Sequence, residues 1–191
     1  MTAGGWRHRR ECHRSRTHAD TLTKHMFVLG IDPGLTTTGY GGVRRDRGRA
    51  EAVTIGVIRT DPALPISRRL AELYRDISSV LAEQRPDALA IEQVFVNRNL
   101  QTAMSVARAS GVVLLAADQA GVPVFEYTPS SVKAAIAGYG SAPKDQVQKM
   151  VVSRLRLATP PRPADAADAL AIALCHLQSQ RLVAVHQKGS A

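Results

Sequence analysis

Two short apolar runs, Phe27-Val28-Leu29-Gly30-Ile31 and Ala88-Leu89-Ala90-Ile91, each end on a carboxylate, Asp32 and Glu92. Unbroken apolar runs of this length read as strands covered on both faces, the central strands of an α/β sheet. A carboxylate at the end of a covered strand is costly unless something binds it. Two further acids, Asp165 and Asp168, open an Ala-rich segment three residues apart, so they share one helical face. Four carboxylates converging from two strand ends and a helix start repel one another in a partly desolvated site. A hard divalent cation such as Mg²⁺ relieves that repulsion, because it takes oxygen ligands and keeps waters for substrate phosphates.

The rest of the pattern builds a domain around these positions. Residues 38–45 and 51–59 follow the first strand and are joined by the polar turn Arg45-Asp46-Arg47-Gly48, an antiparallel meander. Residues 65–84 read as an amphipathic helix with Leu70, Leu73, Ile77, Val80 and Leu81 on one face, broken by Arg85-Pro86-Asp87. After the strand 88–92 comes a long helix, 99–119, whose small residues Ala103, Ala107, Ser110 and Gly111 suit close helix approach. A strand at 123–126 leads to Thr128-Pro129, an N-cap with proline in the first turn. Gly138-Tyr139-Gly140 interrupts that helix, and a second runs from Ser141 and Pro143 to about Arg156. A proline-rich linker, 159–163, precedes a final helix over 164–179. Three meandering strands followed by alternating helices and strands imply an α/β mixed sheet with helices on both faces. The expected organisation is a disordered basic extension over 1–25, one domain over 26–180 and a flexible tail over 181–191.

Charge narrows the partner. The 191 residues carry a formal net charge of +9. Residues 1–25 supply +4 of it, with six Lys/Arg against Glu11 and Asp20. The remaining body is still basic, which points to a polyanion, nucleic acid being the commonest. An acidic metal pocket on a basic protein is what a metal-dependent nuclease requires. Cys12 and Cys175 are too few for a disulfide scaffold and suggest a reducing, cytoplasmic compartment. No apolar stretch reaches about 18 residues without a charge or a breaker, so no membrane span is expected.

Each candidate has an ordinary reading beside the functional one. Asp-Pro-Gly at 32–34 is common turn chemistry, which accounts for Pro33 and Gly34 but not for an acid ending a buried strand. Asp165 suits a helix start, whereas Asp168 is already inside the helix, where capping does not explain it. The threonines 36–38 and Gly39 stand where a loop approaches phosphate, a weak signal by itself. Phe95, set among Gln93, Asn97, Arg98 and Asn99, is either a core aromatic or a platform for an unstacked base. Lys133 and Lys144 lie early in their helices, where a cation opposes the helix dipole; phosphate binding is the alternative to a solvated lysine. Cys175 and His176 lack a second ligand pair and do not read as a zinc site.

The assembled motifs are Gly30-Ile31-Asp32-Pro33-Gly34 with Thr38-Gly39-Tyr40-Gly41, Ile91-Glu92-Gln93-Val94-Phe95, Pro123-Val124-Phe125-Glu126-Tyr127 and Asp165-Ala166-Ala167-Asp168-Ala169-Leu170-Ala171. In that order and spacing, over residues 26–179, they resemble the RuvC family of bacterial Holliday-junction resolvases. The resemblance implies a ribonuclease H-like fold and a homodimer. It implies two divalent metals, Mg²⁺ or Mn²⁺ in its place, held by Asp32, Glu92, Asp165 and Asp168. It implies cleavage of four-way DNA junctions by two symmetric nicks that leave 5′-phosphate and 3′-hydroxyl ends. It places Phe95 at the bases near the crossover, with Arg98 beside it, and Lys133 and Lys144 on the DNA path. The helix 99–119 is implied in the dimer contact, and the junction-moving proteins RuvA and RuvB are the implied partners.

Two rival readings exist. Actin-like ATPases share a Gly-Ile-Asp strand turn with a Thr/Gly phosphate loop, but they need a second lobe that this length does not provide. A junction-binding protein without cleavage gains nothing from four carboxylates beside phosphates.

Overall fold

The computed structural model describes residues 25–94 and 100–189. The expectations for the extension before residue 25 and for Phe95 and Arg98 lie outside these residues. Strand β1 (His25–Asp32) turns at Pro33-Gly34 into β2 (Thr37–Asp46), which pairs antiparallel with it, Gly30 opposite Gly41 and Asp32 opposite Gly39. A two-residue turn at Arg47-Gly48, both at positive φ, returns the chain into β3 (Arg49–Arg59). Such a turn matches the natural strand twist and suits glycine at its second position. Helix α1 (Ile66–Gln84) then carries the chain to β4 (Ala88–Glu92), which lies parallel to β1 on its other side. Helix α2 (Leu100–Gln119) leads to β5 (Val124–Tyr127), parallel to β4. Helices α3 (Pro129–Ala137), α4 (Lys144–Leu155) and α5 (Ala164–Gly189) complete the described chain.

The sheet order is β3-β2-β1-β4-β5. An antiparallel meander abutting a parallel pair, with helices on both faces, is the ribonuclease H-like arrangement. Side-chain alternation divides the core between the faces. Leu29, Ile31, Leu89 and Ile91 pack with Leu73, Ile77 and Leu81 of α1 and Ala109, Val113, Ala116 and Ala117 of α2. Val28 and Ala90 point the other way, into a core built with α3, α4 and α5. Both central strands are therefore covered on both faces, as their continuous apolar composition requires.

Two boundaries and one helix face differ from the sequence reading. His25 is the first residue of β1, and its Nδ1 lies 2.9 Å from the Asp46 carboxylate, so the domain starts one residue inside the segment assigned to the extension. Helix α5 continues to Gly189, ten residues beyond the expected end at 179 and into the segment 181–191 assigned to a tail. The small residues of α2 do not share a face: Ala103 and Ser110 are buried in the core, whereas Ala107 and Gly111 are exposed. Each step of four, from 103 to 107 to 111, drifts by about 40° around a helix of 3.6 residues per turn, which carries Ala107 and Gly111 off the core-facing side that Ala103 shares with Ser110. By length and composition α2 could cross a membrane. It carries Arg108 and Asp118, however, and packs one face on α1 and the sheet.

Candidate active site

The site is assembled by period and register. Asp32 lies on the same face of β1 as Val28 and Gly30, and Glu92 on the same face of β4 as Ala90, because side chains two apart share a side. Ile31 is in register with Ile91, so Asp32 and Glu92 follow one step later on neighbouring strands, which run about 4.8 Å apart. Both carboxylates thus emerge at the C-terminal edge of the parallel strands, on the α5 side. This is the edge where open α/β sheets bind ligands.

Helix α5 delivers the other two acids. Its backbone comes close to the sheet where glycines of β1 and β2 put no side chain in its way. A Cβ built on Gly39 would overlap the carbonyl of Asp165, and one on Gly30 would overlap the carbonyl of Ala169. Gly41 similarly leaves room for Leu170. The facing helix residues Ala166, Ala169 and Ala173 are small and buried. Glycine against alanine brings the start of α5 onto the end of β1, and Asp165 and Asp168 arrive beside Asp32.

The electrostatics report the convergence. The Asp32 carboxyl is pushed up to about 7, first by burial and then by the charges of Asp168, Glu92 and Asp165, with Lys144 acting against them. Glu92 is also raised, first by burial and then by Asp168, against Lys144 and Lys133. Asp168 is therefore the leading charged neighbour of both strand-end acids, while Asp32 feels all three others. Lys144, the first residue of α4, donates from Nζ to Asp168 Oδ2 at 2.6 Å. That bond, ahead of the surrounding carboxylates, raises the lysine further. Lys133, in the first turns of α3, stands close enough to Glu92 to favour its charged form. The structure thus brings six of the predicted site residues to one end of the sheet: Asp32, Glu92, Asp165, Asp168, Lys133 and Lys144.

The donor set fits a hard divalent cation, being all oxygen and short of positive charge. The carboxylates are not yet closed around a point, however. Among the described residues no three Asp, Glu, His or Cys side chains are gathered tightly enough to hold one ion.

The threonine loop has a different role from the one its composition suggests. Thr38 is buried, and its hydroxyl donates to the Gly34 carbonyl at 2.6 Å, so it clamps the turn after Asp32. Thr36 accepts from Arg69 Nη2 at 2.8 Å, and Arg69 Nε reaches Thr60 Oγ1 at 2.9 Å. Arg69 therefore braces the loop that follows Asp32 from α1. Sequence reasoning missed it, and nothing distinguishes it from the neighbouring Arg68 except the fold. His176 is fully buried, with Nδ1 at 2.8 Å from the Tyr127 hydroxyl and its ring against Phe125. Burial, then Arg45, pushes its imidazole down to about 4, so it stays neutral and serves packing. Cys175 is buried beside it, with Sγ 3.8 Å from the Ser131 carbonyl.

Residues 28–176 match the family profile described as crossover junction endodeoxyribonuclease RuvC. The crossover junction endodeoxyribonuclease RuvC of Syntrophomonas wolfei is 54% identical over 157 residues, covering 82% of this chain and 91% of that protein. The Thermus thermophilus RuvC structure superposes with a TM-score of 0.76 at 42% identity, covering 82% of this chain and 96% of that one. The structure of T. thermophilus RuvC in complex with Holliday junction substrate gives 0.79 at 43% identity, covering 83% and 96%.

Proposed function

Because the chain belongs to the RuvC family of crossover junction endodeoxyribonucleases, we propose that the carboxylates at the sheet edge are the hydrolytic centre with which it resolves Holliday junctions. The observation that carries this assignment is the convergence of Asp32, Glu92, Asp165 and Asp168, where burial and then the neighbouring acids hold Asp32 at about 7. Two divalent ions, Mg²⁺ or in its place Mn²⁺, would be held there, with Asp32 in reach of the charges of all three other acids. When bound, they supply the Lewis acidity that activates an attacking water and neutralises the departing 3′ oxygen of a phosphodiester. The chain's own residues hold the ions, and the products are a 5′-phosphate and a 3′-hydroxyl, ends that can be religated.

Around the carboxylates, Lys133 supplies positive charge at a helix start and would bind a junction phosphate. Phe95 and Arg98 follow Glu92 within six residues in the chain, which supports a place for them at the unstacked bases of the crossover. A homodimer is supported by α2, whose outward face carries Leu100, Met104, Ala107, Gly111 and Leu115, with the large side chains 60%, 47% and 51% exposed. Spacings of four, three, four and four residues form one continuous apolar stripe, the pattern of a helix awaiting a partner. Two copies would present two identical sites to the two equivalent strands of a junction. RuvA and RuvB are the partners the family implies, and the cytoplasm the compartment.

The test is cleavage and binding of a synthetic immobile junction. Asp32→Asn, Glu92→Gln and Asp168→Asn should each reduce nicking to background in saturating Mg²⁺ while junction binding is retained, because losing an acid near phosphates does not weaken DNA contact. Wild-type nicking by any one of them removes that residue from the centre.

A further inference from the structure

Lys144 occupies an odd position for a lysine. It is the first residue of α4, where the helix dipole disfavours a cation, and its N-cap, Pro143, makes no side-chain capping bond. Its side chain is largely solvent-exposed, yet its ammonium turns back onto Asp168 at 2.6 Å. Asp168 is the acid that most strongly influences both Asp32 and Glu92. The same ammonium acts favourably on the charged forms of Asp32 and Glu92. One cation thus acts on Asp32, Glu92 and Asp168 together, with Lys133 adding to it at Glu92, and it engages the acid whose charge both strand-end carboxylates feel most.

We propose that Lys144 is the resident counter-cation of the metal-free site, and that divalent metal enters by exchange, expelling the lysine ammonium from Asp168. This inference rests on the four carboxylates being the metal site. It goes beyond a phosphate-binding role, because it makes the lysine a competitor of the metal before DNA arrives. Freed from Asp168, the flexible side chain carries its charge outward, toward the surface where a phosphodiester would lie. Metal loading and the readiness of Lys144 for DNA are then one event. A lysine fits this use because its compact charge sits on a long, rotatable stem. No bond is made or broken in the exchange; one cation replaces another.

The experiment measures Mn²⁺ binding without DNA, by the loss of the free aquo-ion's EPR signal, at pH 9 so that the acids are ionised in every variant. Lys144→Met should bind Mn²⁺ about tenfold more tightly than wild type, the effect of removing one positive charge roughly 6 Å from a divalent ion in a water-like medium. Lys144→Arg, which keeps the charge, should stay near wild type. A second readout needs no variant: acylation of Lys144 by an N-hydroxysuccinimide ester, followed by mass spectrometry, should accelerate severalfold when Mg²⁺ is added. A Lys144→Met affinity equal to or weaker than wild type, or a Lys144 acylation rate indifferent to Mg²⁺, overturns the exchange. Failure of the underlying assignment looks different: Asp32→Asn would then bind Mn²⁺ as wild type does.

Discussion

Asp32 has an ordinary aspartate's chemistry in an environment that withholds its charge. Burial and three neighbouring acids hold its carboxyl at about 7, against 3.8 for the unperturbed group. The folded state therefore binds a proton over that interval which the unfolded chain has released. Stability contributed through this group is greatest below about pH 4 and declines as pH rises toward 7, remaining low above it. In the absence of divalent metal, Asp32→Asn should melt higher than wild type at pH 8, by about 2–4 °C for each kcal/mol of repulsion relieved, and the difference should vanish near pH 4. Thermal denaturation in EDTA across that range measures it. The same proton competes with metal. Apparent Mn²⁺ affinity should rise with pH up to about 7 and level off above, by as much as tenfold per pH unit where one proton is displaced. A flat titration would mean that Asp32 is already ionised at low pH. Glu92, raised by the same causes in lesser variety, reinforces the trend.

At the scale of elements, the site depends on how closely α5 lies on β1 and β2. Gly39 and Gly30 are needed because the helix backbone occupies the space of a side chain. Gly39→Ala should force the start of α5 outward, costing about 1–3 kcal/mol as an overpacked contact, and it should weaken Mn²⁺ binding because Asp165 and Asp168 move with the helix. Chemical denaturation and metal titration of the one variant report both effects; a destabilised protein with undiminished metal binding would detach the helix position from the site. Helix α2 raises a different matter. Its inward face is spent on the core, and its outward stripe is apolar without cover among the described residues. Ala107→Glu puts a charge in that stripe without touching the core, since Ala107 is exposed. The variant should sediment as a monomer, and a cruciform plasmid should then be relaxed by single nicks in place of being linearised by paired ones. Linearisation by a monomer would end the dimer assignment.

The molecule as a whole separates its charges by place. The carboxylates crowd one end of the sheet, and the chain around them is basic, with +4 of the +9 carried before the domain begins. That leading segment has no apolar periodicity with which to join a core. Deleting residues 1–24 should leave the unfolding free energy and junction nicking unchanged, while β1 keeps His25 and its pair with Asp46. It should lower affinity for random-sequence duplex, with a loss that shrinks as salt rises, because the lost contacts are with phosphates. Fluorescence anisotropy over a salt series tests this; a truncated chain that fails to fold or to cleave shows the segment to be part of the enzyme.

Local information was enough for much of this. Continuous apolar runs at 27–31 and 88–91 specify doubly covered strands because only a central strand buries both faces, and the period of two already sets Asp32 and Glu92 on one side once the strands are paired. Thr128 caps α3 as its residue type dictates, accepting from the Ser131 amide at 3.0 Å. The three-residue spacing of Asp165 and Asp168 sets a common helical face whatever the helix packs against. Other features follow only from the packed chain. Arg69 becomes a brace for the Asp32 loop because α1 happens to pass it, and Thr38 turns inward because the turn at Gly34 needs a donor. Ala107 and Ala103 part company because the sheet claims one side of α2. The raised carboxyl of Asp32 depends on Asp168, 136 positions away, and the ion pair of Lys144 with Asp168 spans 24 positions and two helices, so neither is set by local sequence. Charge–charge energy depends on distance through space and on the water excluded between the groups, and both quantities exist only once the helix has come down on the sheet.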